Sequence, residues 1–304
     1  MKYICAQPAT QYFGWQIDVM LYSFVNVGIT LEDVHIVCAI HGGIDPYFDN
    51  LMQKYPGVLF SFYEDTRHDK TYISSVRPHI LKKHFSNFPE LSKEVIMYHD
   101  CDIAFTKPLN IPDEFYSDDI CYLSDTISYI GYDYIKSKGE EVLSAMCNIV
   151  GIDQEIVAKN QDNSGGAQYI MKGIDKYFWY DVENDSTRLF KEITELNNSL
   201  KEADPNYHTL QIWCADMWAV LWNLWKRNKK TKVINEMDFS WSVTNKDLWH
   251  KHSIYHNAGV TVSNSGLFFK GNYIDKLPDL NIEVDPNKCS ANYYRLIQQA
   301  LKYD

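Results

Sequence analysis

Two aspartates one residue apart follow a short apolar run, a spacing suited to binding a divalent cation. In VIMYHDCDIAF, Asp100 and Asp102 come directly after residues 95–98, which read as a buried strand. Side chains two positions apart on an extended chain point the same way, so both carboxylates could close on one Mg²⁺ or Mn²⁺. A cation held there can bind a diphosphate and neutralise the charge of a leaving nucleotide. The alternative is an acidic turn, in which aspartate is common.

The composition predicts a globular protein. Its 304 residues, of which 45% are hydrophobic, can bury a core as one large domain or as one domain with a smaller lobe. Seven cysteines lie scattered without a CxxC pair, mostly in apolar runs, which predicts reduced core residues rather than disulfides or metal ligands. No window reaches the ~18 uncharged apolar residues of a spanning helix. We therefore expect a cytoplasmic protein with no membrane partner; the sequence leaves its oligomeric state open.

The net charge of -11 opposes a general attraction of the protein surface to polyphosphates. One basic run, residues 226–232, nevertheless holds five lysines or arginines just after the aromatic segment WAVLWNLW. Such a patch could contact a nucleic-acid backbone. The alternative is a solvent-facing helix C-terminus, where the helix dipole favours cations.

Strand and helix signals alternate in the first third of the chain. The strand-like runs are KYICAQ, HIVCAI, VLFSFYE and VIMYHDCD, and the helix-like segments between them are WQIDVMLYSFVNVG, DPYFDNLMQKYP and SSVRPHILKKHFSNFP. This order predicts a Rossmann-like α/β fold, a mostly parallel central sheet flanked by helices, with ligands bound beyond the C-terminal strand ends. The acidic pair lies at such an end, as do Gln7 and Pro8, which we expect to contact a bound nucleotide. Neither GxGxxG nor GxxxxGK[ST] occurs.

The remainder of the chain predicts further strands and longer helices. DICYLSD and GGAQYIMKG read as strands, and the second is entered through a glycine pair at which backbone can approach a ligand closely. Helices are expected over YDYIKSKGEEVLSAMCNIVG, over residues 177–200 and over the tryptophan-rich segment around Asp216. We expect a single domain over residues 1–304. Residues 1–110 would form its nucleotide-sugar half and residues 111–304 its acceptor half.

Five segments of the chain occur in the order known from one group of enzymes. They are QYFGWQIDVMLYSF, VRPHIL, VIMYHDCDIAF, GGAQYIMKGIDKYFW and IWCADMWAV. In this the chain resembles the plant and algal peptidyl-serine galactosyltransferase and hydroxyproline O-arabinosyltransferase families over most of its length. The resemblance implies a GT-A fold, a UDP-sugar donor, Mn²⁺ or Mg²⁺, and transfer with retention of anomeric configuration. We expect no N-terminal membrane anchor of the kind those families carry.

The resemblance also implies roles for individual residues. Asp100 and Asp102 match the metal-binding DxD, and His256 in SIYHNAGV resembles the late histidine that supplies a third metal ligand. A neutral imidazole suits that position, but a core histidine is the alternative. Arg77 matches a basic residue before proline and could pair with the donor diphosphate or contact uracil; the alternative is a surface cation on a helix. Lys270 in FFKGNY could reach a phosphate, or be an exposed lysine at a strand end.

Asp216 is the acidic residue that we expect under the donor sugar. It lies in the otherwise apolar segment IWCADMWAVLW, where an unpaired buried carboxylate would be costly. Retaining transfer needs a nucleophile or a polar group that stabilises the charge on the donor face. The alternative is an ion pair with a lysine or arginine. Gln168, Gly166 and Asp162 in QDNSGGAQY are further candidates for contacts to sugar hydroxyls or the donor.

The acceptor is less constrained than the donor. Most tryptophans at 213, 218, 222 and 225 are expected in the core, with one or two able to stack on a sugar or base. The predicted activity is a metal-dependent transfer of a pentose or hexose, arabinose or galactose being favoured, from a UDP-sugar to a hydroxyl. A viral or phage enzyme acting on 5-hydroxymethylcytosine in DNA is one hypothesis. Protein Ser/Thr or hydroxyproline, a glycan, or an inactive sugar-nucleotide-binding relative are the alternatives.

Overall fold

The computed structural model describes residues 1–302 and confirms the predicted α/β class. The strands within these residues are β1 (Lys2–Pro8), β2 (Val34–Ile40), β3 (Leu59–Glu64), β4 (Val95–His99), β5 (Ile103–Phe105), β6 (Ile120–Asp125), β7 (Gly165–Lys172), β8 (Lys230–Val233), β9 (Phe239–Trp241) and β10 (Ile254–His256). Seven of them, β1–β4 and β6–β8, belong to one mostly parallel sheet. β2 pairs in parallel with β1 and β3, and β6 pairs in parallel with β8 and antiparallel with β7.

The α-helices follow the predicted alternation at the start of the chain. They are α1 (Gln11–Asn26), α2 (Tyr47–Lys54), α3 (Val76–Asn87), α4 (Glu114–Ser117), α5 (Ile127–Ile130), α6 (Tyr132–Lys136), α7 (Glu140–Val150), α8 (Gln154–Lys159), α9 (Lys176–Ala203), α10 (Ala215–Lys226) and α11 (Cys289–Ala300). The helix predicted over residues 132–151 is divided into α6 and α7. Gly139, at φ +126°, separates them because few other residues adopt that backbone conformation.

The first of two compact units combines residues 1–64, 99–112 and 235–302. It contains β1–β3, helices α1, α2 and α11, and a small sheet in the order β5-β10-β9. Its aromatic core includes Trp15 from α1, Tyr255 from β10, and Tyr293 from α11. Helix α11 is absent from the sequence prediction, and its buried face packs into this core.

The second unit combines residues 65–98 and 113–234. Helices α3, α9 and α10 pack together in it, and Trp179, Trp218 and Trp222 are fully buried. Asp175 begins α9 by accepting a hydrogen bond of 2.9 Å from the Phe178 amide, as an N-cap residue does.

Two predictions about side chains and hydropathy can be compared directly with the structure. All seven cysteines lie within residues 1–302, are buried and form no disulfide, which confirms their assignment to the core. Within the same residues, none of the helices combines the length and apolar character that crossing a membrane would require.

Candidate functional site

Asp100, Asp102 and His256 converge in the first unit. The two aspartates occupy the turn between β4 and β5, with Cys101 buried between them. His256 ends β10, which runs antiparallel to β5 in a register that pairs His256 with Ile103. Nε2 of His256 lies 3.3 Å from Oδ1 of Asp102 and 3.8 Å from Oδ2 of Asp100. One ligand atom from each of the three residues lies within 4.8 Å of the other two.

Local packing fixes the orientation of these groups. The amide of Asn257 donates a 2.8 Å hydrogen bond to the carbonyl of Asp102, which ties the turn to the end of β10. The His256 ring is nearly parallel to Trp241, with an interplanar angle of 8° and 6.1 Å between centroids. Packing against Trp241 therefore contributes to the orientation of the His256 ring.

The donor set fits a divalent cation such as Mn²⁺ or Mg²⁺. Two carboxylates and one imidazole supply two hard oxygen ligands and one nitrogen ligand, and remaining coordination positions can be filled by water or phosphate. The predicted trio thus comes together as a cluster that could hold the metal.

Lys270 approaches the same cluster from a short 3₁₀ turn, Lys270–Tyr273. Its Nζ donates a hydrogen bond to Oδ2 of Asp102, and 29% of its side chain is exposed. Burial alone would raise the pKa of Asp102, but Lys270 and His256 outweigh burial and hold that pKa well below its usual range. For Lys270, burial would lower the pKa, but the neighbouring Asp102 raises it above its usual value. Lys270 is therefore part of the cluster rather than an isolated surface cation.

Gln7 and Pro8 lie in the same unit, at the C-terminal end of β1. They pair with Cys38 and Ala39 of β2, and Gln7 is 6% exposed. The Ala9 amide extends the ladder by donating to the Ala39 carbonyl at 2.8 Å. Both residues therefore occupy the strand end at which the sequence places them.

The second unit brings Arg77 and Asp216 together. Nη2 of Arg77 donates to Oδ2 of Asp216, while the hydroxyl of Tyr72 donates to Oδ1 at 2.6 Å. Asp216 lies in the first turn of α10, where the helix dipole also favours a carboxylate. Arg77 lies in the first turn of α3, followed by a proline that this position tolerates. Asp216 thus forms the ion pair with an arginine that was the alternative to a place under the donor sugar.

The segment that carries Tyr72 is itself held by an ion pair. Nε and Nη2 of Arg67 donate to the Asp65 carboxylate, while Nη1 donates to the Tyr72 carbonyl at 3.0 Å and to Ser75 Oγ at 2.8 Å. Burial would raise the pKa of Asp65, but hydrogen bonds from Arg67 and Lys70 hold it well below its usual range. Sequence reasoning missed Tyr72, because a tyrosine so distant along the chain gives no local signal.

Gln168 lies in a bulge of β7. Leu123 of β6 pairs with Tyr169 while the next residue, Ser124, pairs with Gly166, so the register between β6 and β7 shifts at Ala167 and Gln168. Ala167 takes φ +67°, a conformation that glycine adopts more readily. Gln168 is fully buried, and its Oε1 accepts a 2.7 Å hydrogen bond from Ser124 Oγ.

The glycine pair that enters β7 is required by the protein's own packing. A Cβ on Gly165 would lie 2.5 Å from the Ser124 carbonyl oxygen, and one on Gly166 would lie 2.7 Å from the Tyr169 hydroxyl. Packing within the protein therefore favours glycine at both positions, independently of any ligand. Asp162 lies on the exposed 3₁₀ turn just before them.

The tryptophans separate clearly by exposure. Trp218, Trp222 and Trp225 are buried, whereas Trp213 exposes 61% of its surface. The Trp213 ring is nearly parallel to Tyr129 of α5, at 23° with 6.5 Å between centroids. Of the four, Trp213 is the one exposed to solvent.

The basic run is largely engaged within the protein. Nη2 of Arg227 lies 2.6 Å from Asp181, and Nζ of Lys230 lies 3.1 Å from Asp119. Nζ of Lys226 donates to the Val150 carbonyl at 2.8 Å. The two ion pairs reduce the positive charge that the run could offer to a nucleic-acid backbone.

Comparison with known proteins gives likenesses to solved structures. The sequence matches no protein-family model and no curated protein. The apo structure of the bifunctional glycosyltransferase WbbM is similar over 86% of this chain, with a TM-score of 0.46 and 10% identity, and the chain spans 46% of the length of that protein. Apo mouse xyloside xylosyltransferase 1 is similar over 84% of this chain and 97% of its own, with a TM-score of 0.40 and 8% identity. Both likenesses are too distant to carry an inference about function.

Proposed function

We propose that this protein is a metal-dependent glycosyltransferase that moves a pentose or hexose from a UDP-sugar to a hydroxyl group. The observation that carries the proposal is the convergence of Asp100, Asp102 and His256 on one point, with Lys270 bonded to the same carboxylate. The residues suit the binding of a diphosphate and the stabilisation of its charge as it leaves. The GT-A fold and the retention of configuration are proposed from the sequence resemblance.

Each residue of the cluster has a distinct task in the proposed reaction. Asp100, Asp102 and His256 would hold Mn²⁺ or Mg²⁺, which supplies positive charge against the donor diphosphate when it is bound. Lys270 would donate its N–H groups to a phosphate oxygen, since an ammonium group has three donors and only one is needed by Asp102. Gln7 and Pro8 would contact the nucleotide from the end of β1.

Arg77 and Asp216 are proposed for the sugar side of the reaction. A carboxylate can stabilise the positive charge that develops on the donor sugar. Asp216 has its two oxygens bonded to Arg77 and Tyr72, which holds it in one orientation. Gln168 would act with it by hydrogen bonding to sugar hydroxyls, and Gly166 by close backbone approach.

The acceptor is proposed to present a ring next to its hydroxyl. An exposed tryptophan next to a tyrosine can stack on a sugar ring or a base, so both a glycan and hydroxymethylcytosine meet this requirement. The internal ion pairs of residues 226–232 and the net charge of -11 favour a neutral acceptor over DNA. Arabinose and galactose remain the favoured donor sugars.

The direct test is the release of UDP without acceptor. The protein would be incubated with Mn²⁺ and UDP-arabinose, UDP-galactose, UDP-xylose or UDP-glucose, with EDTA and Asp100→Asn as inactive controls. Slow, EDTA-sensitive release from one or more donors supports the transferase. Binding of UDP without hydrolysis of any donor would favour an inactive sugar-nucleotide-binding protein. Mass spectrometry of hydroxymethylcytosine-containing DNA, peptides and oligosaccharides with the active donor would then identify the acceptor.

A further inference from the structure

The Asp102 carboxylate has two nitrogen partners in the proposed metal site. Oδ2 of Asp102 accepts from the Lys270 ammonium, while Oδ1 lies 3.3 Å from Nε2 of His256. A cation bound by Asp100, Asp102 and His256 would therefore share Asp102 with Lys270. The side chain of Asp102 is only 8% exposed, so water screens these charges poorly.

The charges of the cluster change sign when a metal binds. With His256 counted as neutral, the four residues of the cluster carry a formal charge of about −1. A divalent cation changes this sum to about +1. The site without metal thus repels a diphosphate and the site with metal attracts one, while the ammonium opposes a metal that arrives alone.

We propose that Lys270 makes the binding of the metal and of the donor diphosphate interdependent. This inference rests on the proposed function, because it takes the diphosphate of a sugar nucleotide as the anion. Without the anion, Lys270 competes with the metal for Asp102 and repels it. With the anion bound, the phosphate oxygens would lie between the metal and the Lys270 ammonium and would relieve the repulsion between these two positive groups. Lys270 is thus a donor-binding residue whose further effect is measured as a coupling between two ligands.

The coupling is measured by titrating Mn²⁺ alone and Mn²⁺ with saturating UDP, by calorimetry or by the electron paramagnetic resonance of free Mn²⁺. The variants are Lys270→Met, which removes the charge, and Lys270→Arg, which keeps it. Lys276→Met is the matched control, because Lys276 is an exposed lysine of the same unit whose ion pair is with Asp279. Thermal unfolding of each variant shows whether it is folded.

We expect UDP to tighten Mn²⁺ binding in the wild type by roughly 100-fold, within the usual range of coupling between sites. Lys270→Met should bind Mn²⁺ alone about tenfold more tightly, and UDP should then improve the affinity about tenfold less than in wild type. Lys270→Arg and Lys276→Met should keep most of the wild-type ratio. By reciprocity, Mn²⁺ should change the affinity for UDP by the same factor in each protein.

Equal ratios in wild type and Lys270→Met would overturn the inference and leave the metal-dependent function intact. Weaker binding of Mn²⁺ alone to folded Lys270→Met would also overturn it, because the lysine would then support the metal rather than oppose it. Failure of the wild type to bind Mn²⁺ with or without UDP would instead refute the proposed function. If Lys270→Met does not fold, Lys270→Gln provides a second uncharged side chain for the same comparison.

Discussion

The hydroxyl of Tyr72 lies 2.6 Å from Oδ1 of Asp216, although 144 positions separate the two residues. The same hydroxyl lies 2.8 Å from the carbonyl of Trp213, so one tyrosine orients both the acidic residue and the start of its helix. Arg77 completes the carboxylate's partners. Asp216 is therefore held by two side chains from the other stretch of its unit, residues 65–98.

Asp216→Asn should reduce both stability and turnover. Loss of a charged hydrogen-bond partner of Arg77 should destabilise the protein by about 1–3 kcal/mol. If the carboxylate also faces the sugar, donor hydrolysis per folded molecule should fall by roughly 100-fold or more while the affinity for UDP changes little. Tyr72→Phe is the comparison, because it removes one partner and leaves the charge. Normal turnover per folded Asp216→Asn molecule would confine Asp216 to a structural role.

The two aspartates of the metal cluster should behave differently when neutralised. Asp102→Asn leaves the Lys270 ammonium without its carboxylate, so we expect a loss of about 1–3 kcal/mol in stability together with loss of Mn²⁺ binding. Asp100→Asn should lose Mn²⁺ binding with a nearly unchanged melting temperature, since Asp100 is more exposed. Calorimetric Mn²⁺ titration and thermal unfolding check both results. EDTA-resistant transfer by the wild type would contradict the assignment.

The ion pair between Asp65 and Arg67 should give the protein a defined pH dependence. Because folding lowers the pKa of Asp65, its contribution is fully present above the unfolded pKa of about 3.9 and decreases as the pH falls toward the folded value. Asp65→Asn should therefore be less stable than wild type by about 1–3 kcal/mol at pH 7, and the difference should shrink below pH ~4. Urea unfolding at pH 7, 5 and 3 measures it. A difference that is constant over this range would contradict the assigned pKa shift.

Trp213→Ala should weaken the binding of the acceptor more than the chemical step. Removal of a stacking ring costs about 1–3 kcal/mol per stacked base, so KM for the acceptor should rise roughly tenfold. Trp213→Phe should retain most of the affinity. Tyr177→Ala is the control, because Tyr177 is equally exposed at 62% but lies on α9. An unchanged KM in Trp213→Ala would remove this residue from the acceptor site.

Ala167→Gly should stabilise the protein, unlike most glycine substitutions. Ala167 has φ +67° within the bulge of β7, and this conformation costs a non-glycine residue about 1–2 kcal/mol. Glycine also has more conformational freedom in the unfolded chain, which offsets part of this gain. We therefore expect the free energy of unfolding to rise by up to about 1 kcal/mol. Denaturant unfolding measures the change, and a loss of stability would show that the Ala167 methyl group has a packing role.

The sequence predicted those parts of the fold that depend on local patterns. The alternating runs before Asp100 defined four strands correctly, and the DxD spacing indicated a cation site. The antiparallel pairing of β6 with β7 and the helix α11 were missed, because each depends on partners distant in sequence. The approach of Lys270 to Asp102 was missed for the same reason: 168 positions separate them, and no periodicity reports such a contact.

The discontinuous first unit also sets the order in which the protein can mature on the ribosome. Asp102 belongs to a short middle segment, but Lys270 is 168 residues further on. At a synthesis rate of 5–20 residues per second, Lys270 would be added to the chain roughly 10–30 seconds after Asp102. During that interval the nascent chain carries an acidic turn and an unpaired edge of β5, since β10 has not yet been made. A nascent chain that stops at residue 234 therefore has both aspartates but lacks the histidine and lysine that complete the cluster.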